Sequence, residues 1–294
     1  MMIMSEKLIN FTQADVVLPK RAPDSHKGSY GKVTLIAGSN AFPGAGYLAL
    51  SSARCALASG AGYAKLCVPK STWNAYASRI EGEILTTLPD DEDGNLLADY
   101  DAIDQAVAGA SVVLAGPGLT GKNVRDIVLH LMRTLDVPLV LDAGALTALN
   151  GTKAPFRGAK CEVIITPHPG EFAGLTGIAP CNQVPVRDSA NFAKSQGITV
   201  HLKGHQSVTA MPDGRVFVTS TGTPCLAKAG SGDVLIGIIG AMIAQKITNP
   251  VPTASVIHGL AGHVAEARFG EYGVLATDVI DGITNSVARL MKNV

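Results

Sequence analysis

Short runs that are almost entirely apolar recur along this chain, and they constrain its fold more than any other feature. Four of them occupy residues 32–37, 111–115, 138–141 and 162–165. Half-exposed strands alternate apolar and polar residues, whereas continuous apolar runs are typical of strands buried on both faces. Helical patterns intervene at residues 48–59, 124–135 and 187–196. We therefore predict an α/β fold with a mostly parallel central sheet flanked by helices on both faces.

The second half of the chain carries a different pattern. Strand-like runs cover residues 198–202, 207–211 and 215–219, and the turn Pro212-Asp213-Gly214 between the last two predicts a hairpin. Beyond Gly232 the periodicity is helical at residues 233–245, 253–269 and 277–291. Because no linker or low-complexity tract divides the sequence, we predict a single domain over residues 1–294, with its first strand beginning near Lys32.

The charge balance excludes broad polyanion binding. Lys plus Arg and Asp plus Glu number 24 each, so there is no basic field for a nucleic acid or an anionic membrane. Any anion site must therefore be local.

The cysteines and the apolar runs bear on the compartment. The five cysteines are scattered and never spaced as C-x-x-C, which argues against disulfides and a zinc knot: Cys55, Cys67, Cys161, Cys181 and Cys225. The longest apolar run, residues 234–244, is too short to cross a bilayer, and no signal-peptide pattern opens the chain. We expect a cytoplasmic protein that is neither secreted nor membrane-bound.

Turn chemistry follows each buried strand. The turns are Gly38-Ser39-Asn40, Gly116-Pro117-Gly118, Asp142-Ala143-Gly144, Thr166-Pro167-His168-Pro169-Gly170 and Lys203-Gly204-His205. Ligands of open α/β sheets bind outside the carboxyl ends of the strands. We therefore expect these five turns to line one crevice.

A small-residue turn, Ala229-Gly230-Ser231-Gly232, runs straight into a long apolar helix and carries Asp233 at the junction. Free backbone N–H groups and the helix dipole favour an anion such as phosphate here. Asp233 has two interpretations: a first-turn residue that the dipole favours, or a group that takes a proton from a hydroxyl nearby.

Two pattern matches do not hold up chemically. The G-x-G-x-x-A match at residues 44–49 lies six residues past its strand, and the later acid is absent because the next strand ends Val68-Pro69-Lys70, which argues against a dinucleotide fingerprint. The G-x-x-x-x-G-K match at residues 116–122 is followed by Asn123 in place of a magnesium-binding hydroxyl, and Pro117 removes a backbone donor. Gly44 and Ala45 instead suit a helix start against which a flat ligand lies.

The stiff turn before Glu171 offers a histidine and a carboxylate. His168 and Glu171 lack the spacing of a zinc pair, so a purely structural turn is one interpretation. The other is that His168 stands over the crevice while Glu171, near the next helix start, holds hydrated magnesium bound to substrate phosphates. The remaining histidines that we considered are interpreted as structural or surface residues: His26, His201, His258 and His263.

Taken together, these segments resemble the stand-alone NAD(P)H-hydrate dehydratases of the ribokinase-like superfamily. The matching segments occur in the family's order: Leu18-Pro19-Lys20-Arg21 with His26-Lys27-Gly28, residues 38–46, Gly116-Pro117-Gly118-Leu119, residues 166–171 and residues 229–233. The resemblance implies a hydro-lyase that restores NADH or NADPH from the S epimer of its hydrate, using ADP or ATP with Mg²⁺. It also implies a homo-oligomer, either a dimer or a tetramer.

The resemblance assigns site residues by position. Contacts to the hydrate are implied for Ala45, Gly118, His168 and Asp233, with Asp233 catalytic. The adenine nucleotide is assigned to Lys203, Gly204, His205, Gln206, Ser207, Gly230, Ser231 and Gly232. Glu171 matches the superfamily's metal-associated acid.

Some positions depart from the family pattern, and other functions stay open. Gly144 stands where a second Asp is usual, and Thr223-Pro224-Cys225 replaces an Asn-Pro-Gly stretch. The epimerase domain often fused ahead is not recognised, so we expect action on one epimer. The alternatives are a ribokinase-like kinase of the hydroxyethylthiazole or hydroxymethylpyrimidine type, and a non-catalytic nucleotide-binding regulator.

Overall fold

The structure, a computed structural model, describes residues 7–41 and 43–292, without the side chains of residues 43–47. Within that part, ten strands form one sheet in the order β1-β10-β9-β8-β7-β6-β5-β2-β3-β4. The strands are β1 (Lys7–Asn10), β2 (Lys32–Ile36), β3 (Tyr63–Pro69), β4 (Ile84–Leu88), β5 (Val112–Ala115), β6 (Leu139–Leu141), β7 (Val163–Ile165), β8 (Thr199–Leu202), β9 (Ser207–Ala210) and β10 (Arg215–Thr219). Only β9 runs antiparallel to its neighbours, which confirms the mostly parallel sheet.

Ten α-helices connect and cover the strands in the described residues. They are α1 (Pro43–Ala58), α2 (Trp73–Ala77), α3 (Tyr100–Val107), α4 (Val124–Thr134), α5 (Ala143–Thr147), α6 (Pro169–Thr176), α7 (Pro185–Gln196), α8 (Ser231–Ala244), α9 (Pro250–Gly273) and α10 (Ala276–Lys292). The six helices predicted from periodicity are all present, within a few residues of the expected bounds except where α1 and α9 extend further.

Each face of the sheet has its own apolar cluster. Successive residues of β5 alternate between them, because neighbouring side chains of a strand point to opposite faces: Val112 and Leu114 face one cluster, Val113 and Ala115 the other. Residues of α1, α8, α9 and α10 complete the first cluster, and residues of α3, α4, α5 and α7 complete the second. Burial on both sides is the reason for the continuous apolar runs.

Two strands, β1 and β4, were not predicted, and the expectation that the first strand begins near Lys32 was wrong. The first strand is β1, which pairs in parallel with β10 and precedes Lys32 by more than twenty residues. It has four residues and lies mostly exposed at the sheet edge, so its sequence lacks the apolar signal of a central strand. At the opposite edge, β4 contains Thr86 and Thr87 and is mostly exposed or half-buried, so it too lacks a continuous apolar run.

None of the described helices combines the length and the apolar character needed to cross a membrane.

Candidate active site

The five polar turns meet at one edge of the sheet, as predicted. The strands that precede them, β8, β7, β6, β5 and β2, are consecutive parallel neighbours. Their last residues are in register, with Leu141 opposite Ala115 and Ala115 opposite Ile36. The backbone turns also join directly, since Gly38 N donates to the Pro117 carbonyl oxygen at 2.8 Å.

Helix α8 points its amino end at this edge. Gly230 precedes the helix with a left-handed φ of 91°, and a Cβ there would lie 2.5 Å from Cδ2 of Leu48, so only glycine fits. Ser231 N donates to the Lys228 carbonyl oxygen at 3.3 Å, whereas in the described part of the chain the N–H groups of Gly232 and Asp233 have no backbone acceptor. Together with the helix dipole, these donors form an anion cradle.

A charge cluster lies beneath the cradle. Lys203 Nζ donates to Asp142 Oδ1 at 2.8 Å and lies 3.8 Å from Glu171 Oε2. All three side chains are largely withdrawn from solvent. A Cβ on Gly232 would be 3.2 Å from this ammonium, so the amino end of α8 rests directly on the cluster. Burial would lower the pKa of Lys203, but the carboxylates of Asp142 and Glu171 raise it instead.

Asp233 shares the field of this cluster. Burial and the negative charge of Asp142 raise its pKa to about 7, and Lys203 limits the rise. Burial likewise raises the pKa of Glu171, with Asp142 adding to the effect and Lys203 opposing it. A carboxyl group with a pKa near neutral can act as a general base. A residue that only occupies the first turn of a helix needs no such shift, so the raised pKa favours the proton-accepting interpretation of Asp233.

His168 and Glu171 form a reciprocal cap at the start of α6. His168 Nδ1 accepts from Gly170 N at 3.0 Å and from Glu171 N at 3.3 Å, and Glu171 Oε2 accepts from His168 N at 2.8 Å. The outer part of the imidazole stays exposed and faces the crevice. The turn is thus structural and at the same time presents His168 to a ligand.

One cavity of about 740 Å³ opens between the cradle and the ends of β8 and β10. Seven predicted site residues line it: His168, Lys203, Gly204, His205, Ser207, Ser231 and Gly232. Its remaining wall comes from Pro169, from most of residues 219–229, from Leu235 of α8, and from Ser255, His258 and Gly259 of α9. A volume of this size accommodates a nucleotide.

The other predicted residues that the structure describes in full lie outside that lining: Gly118, Glu171, Gln206, Gly230 and Asp233. Gln206 is exposed at the turn between β8 and β9, and Gly118 lies in the turn after β5. Gly230 is buried, and a Cβ there would meet Leu48, so its backbone packs closely beneath the cradle. Ala45 is in the first turn of α1, where the described structure includes no side chains. The ligand contacts themselves stay predictions for every one of these residues.

Sequence reasoning missed His258. We interpreted it as structural or surface, but it is buried on α9, lines the cavity, and places Nε2 3.2 Å from Ser231 Oγ. Burial and the nearby Lys203 lower its pKa to about 4, so the imidazole is neutral. No local spacing signals this contact, because 27 residues separate the two positions.

Both departures from the family pattern have a packing explanation. A Cβ at Gly144 would lie 2.1 Å from the Leu119 carbonyl oxygen, so an Asp at this position requires a backbone shift. Thr223 Oγ1 donates to Glu266 Oε2 at 2.8 Å, and Cys225 is buried with Sγ 3.5 Å from the Gly262 carbonyl oxygen. The replaced stretch therefore fastens the cavity wall to α9.

The carboxylates of the site could hold a metal ion only together with the phosphates of a substrate. In the described residues, no three His, Cys, Asp or Glu side chains are grouped to hold an ion by themselves. Magnesium bound through one or two carboxylates, water and substrate phosphates needs no such group, and Glu171 is suitably placed at the crevice edge.

Comparison with known proteins identifies the family of the chain. A family model described as NAD(P)H-hydrate dehydratase matches residues 33–285. The chain is 34% identical over 274 residues to the ADP-dependent (S)-NAD(P)H-hydrate dehydratase of Bacillus subtilis, covering 90% of this chain and 91% of that protein. It is 35% identical over 283 residues to the bifunctional NAD(P)H-hydrate repair enzyme Nnr of Moorella thermoacetica, covering 94% of this chain but 53% of that protein. The chain thus spans about half the length of such bifunctional relatives.

A solved structure is similar over nearly the whole chain. The ADP/ATP-dependent NAD(P)H-hydrate dehydratase from Bacillus subtilis, co-crystallised with ATP and Mg²⁺, superposes with a TM-score of 0.81 at 28% identity. The match covers 97% of this chain and 100% of that one.

Proposed function

The chain belongs to the NAD(P)H-hydrate dehydratase family, and we propose on that premise that it is a hydro-lyase acting on the S epimer of NADH hydrate and NADPH hydrate. The hydrated ring loses its hydroxyl group and a proton from the neighbouring ring carbon, together the elements of water, and the reduced nicotinamide is restored. An adenine nucleotide, ADP or ATP, is the co-substrate.

The observation that carries this proposal is the place of Asp233 at the start of α8, next to the cavity-lining residues Ser231 and Gly232 and within the field of Asp142 and Lys203. Its backbone belongs to the anion cradle of α8, and the cradle residues Ser231 and Gly232 line the cavity of about 740 Å³. Its carboxyl group titrates near neutral pH because of burial and Asp142. A nucleotide in the cavity and a hydroxyl-bearing ring over the strand ends would therefore meet at Asp233. Its carboxylate would take the hydroxyl proton as the hydroxyl oxygen attacks a nucleotide phosphoryl group, and that oxygen would then leave the ring as part of a phosphate.

The remaining residues support binding and charge balance. The cradle amides and the loop of residues 203–207 would hold the nucleotide, while Gly118, Ala45 and His168 would contact the hydrate. Glu171 would hold hydrated Mg²⁺ against the phosphates, where the ion supplies charge neutralisation. The ammonium group of Lys203 offsets part of the negative charge of Asp142 and Glu171, and this reduces the repulsion between the crevice and an anionic ligand.

The test is an assay of the purified chain with the S hydrate of NADH or NADPH, Mg²⁺ and either ADP or ATP. We expect recovery of the reduced-nicotinamide absorbance that depends on the nucleotide. The R epimer serves as the matched control and should not react. A hydrate that stays unchanged with both nucleotides would contradict the proposal.

The same assay separates the alternatives. A ribokinase-like kinase would instead release a phosphorylated thiazole or pyrimidine alcohol from ATP, and a regulator would bind the nucleotide without any turnover.

We further propose a cytoplasmic homo-oligomer, dimer or tetramer, on the family resemblance; light scattering of the purified chain measures its mass.

A further inference from the structure

His258 lies where α9 meets the start of α8 and the segment that follows β10, and these three elements surround the nucleotide cavity. It is on the face of α9 that packs against the cavity wall: Ser255, one turn earlier, has its Oγ 2.7 Å from Thr219 Oγ1, and a Cβ on Gly259 would lie 2.5 Å from the Thr221 carbonyl oxygen. This tight packing gives α9 little freedom to move. The imidazole of His258 is therefore held rigidly against the amino end of α8.

The contact that results is with the first residue of the anion cradle. His258 Nε2 lies 3.2 Å from Ser231 Oγ, and the two residues are only 9% and 8% exposed. A serine hydroxyl at a helix start has several rotamers, and only some direct its proton to an anion held by the next N–H groups.

We propose that His258 is a positioning residue for nucleotide binding: its Nε2–H donates to Ser231 Oγ, which fixes the hydroxyl and leaves the hydroxyl proton to donate to a nucleotide phosphate. This inference rests on the proposed function only in taking the phosphate to belong to an adenine nucleotide. His258 itself does not touch the ligand in this arrangement.

The surroundings keep the imidazole in the required neutral form. Burial, together with Lys203, disfavours the charged imidazolium. His201, buried on β8, adds no positive charge, because burial and the same Lys203 lower its pKa to about 3. The neighbouring histidines therefore act through hydrogen bonds and not through charge.

A double-mutant cycle on ADP binding tests the proposal. By calorimetry, Ser231→Ala and His258→Leu should each weaken ADP binding about tenfold, the size expected for one hydrogen bond to a charged group. Because both variants remove the same interaction, the double variant should also be about tenfold weaker, not about a hundredfold. Phe269→Leu, on the same helix but exposed and outside the cavity lining, is the control and should bind like the wild type.

Conservative variants give a second readout if His258→Leu does not fold. A Gln amide reaches the position of Nε2 and can donate to Ser231 Oγ, whereas the shorter Asn cannot. We expect ADP affinity near wild type for His258→Gln and a loss of about tenfold for His258→Asn. The proposal would be overturned if the effects of Ser231→Ala and His258→Leu on ADP affinity multiplied in the double variant. An equal loss of affinity in His258→Gln and His258→Asn would also overturn it, as would a wild-type chain that binds no ADP. The titration needs no hydrate, so its outcome is separate from that of the dehydration assay.

Discussion

Lys203 Nζ donates to Asp142 Oδ1 at 2.8 Å and thereby bridges the ends of β8 and β6 across the intervening β7. Glu171, in the first turn of the helix after β7, brings a third charge within 3.8 Å of the same ammonium. The ammonium group of Lys203 thus faces two carboxylates, and all three charges affect the pKa of Asp233. This relationship makes the crevice sensitive to single charge changes.

Replacing Lys203 should destabilise the fold. In Lys203→Met two buried carboxylates lose their counter-charge, and we expect a loss of about 3 kcal/mol or more in the free energy of urea unfolding at pH 7. Adding Asp142→Asn removes one of those charges and should restore a large part of the loss. A Lys203→Met variant as stable as the wild type would show that the pair does not matter to folding.

Asp233→Asn should abolish turnover and retain nucleotide binding. The amide cannot accept the hydroxyl proton, so kcat should fall by about 10² or more, while the cradle amides still bind ADP. Kinetics and ADP calorimetry on the same preparation separate the two effects. Asp281→Asn, an exposed Asp on α10, is the control and should retain full activity. Wild-type rates in Asp233→Asn would exclude it as the base.

The pH profile of kcat/KM should report the same group, because kcat/KM reflects the ionisation of the free enzyme. A base with a raised pKa of about 7 is active only when deprotonated, so log kcat/KM should rise with a slope of about one below pH 7 and level off above it. Lys203 lowers the pKa of Asp233, so the midpoint should move to higher pH in Lys203→Met. A flat profile between pH 5.5 and about 8.5 would contradict this assignment.

Two variants separate the cap function of His168 from its ligand function. His168→Ala loses the side chain that accepts from Gly170 N and Glu171 N, which should lower stability by about 1 kcal/mol, whereas His168→Asn keeps a capping oxygen. Both should weaken hydrate binding more than nucleotide binding. Calorimetry with each ligand checks this, and a larger loss for ADP would assign His168 to the nucleotide.

Gly144 should not tolerate a side chain. A Cβ there meets the Leu119 carbonyl oxygen at 2.1 Å, so Gly144→Ala should lower the free energy of unfolding by roughly 2–4 kcal/mol. Gly82→Ala, whose Cβ would make ordinary contact with Leu57 at 3.5 Å, is the control. Equal melting temperatures for the two variants would refute the packing explanation.

The central sheet was predictable because its signal is local. Continuous apolar runs reveal strands such as β5 and β6 without knowledge of their neighbours, and Pro212-Asp213-Gly214 specifies the hairpin of β9 and β10. Strand β1 was not predicted, because an exposed edge strand of four residues has no continuous apolar run. Gly144 was noticed as a departure, but its reason depends on a carbonyl oxygen 25 positions earlier.

By itself, the sequence determined the α/β class, the set of polar turns at the strand ends and the glycine-rich start of α8 that carries Asp233. Periodicity and turn chemistry act over a few residues, so they can be read from the chain alone. The tertiary structure decided the rest: the bond from Lys203 to Asp142 joins positions 61 residues apart, and that from His258 to Ser231 joins positions 27 apart. Such contacts depend on strand order and helix packing, and through them the crevice sets the proton affinity of Asp233.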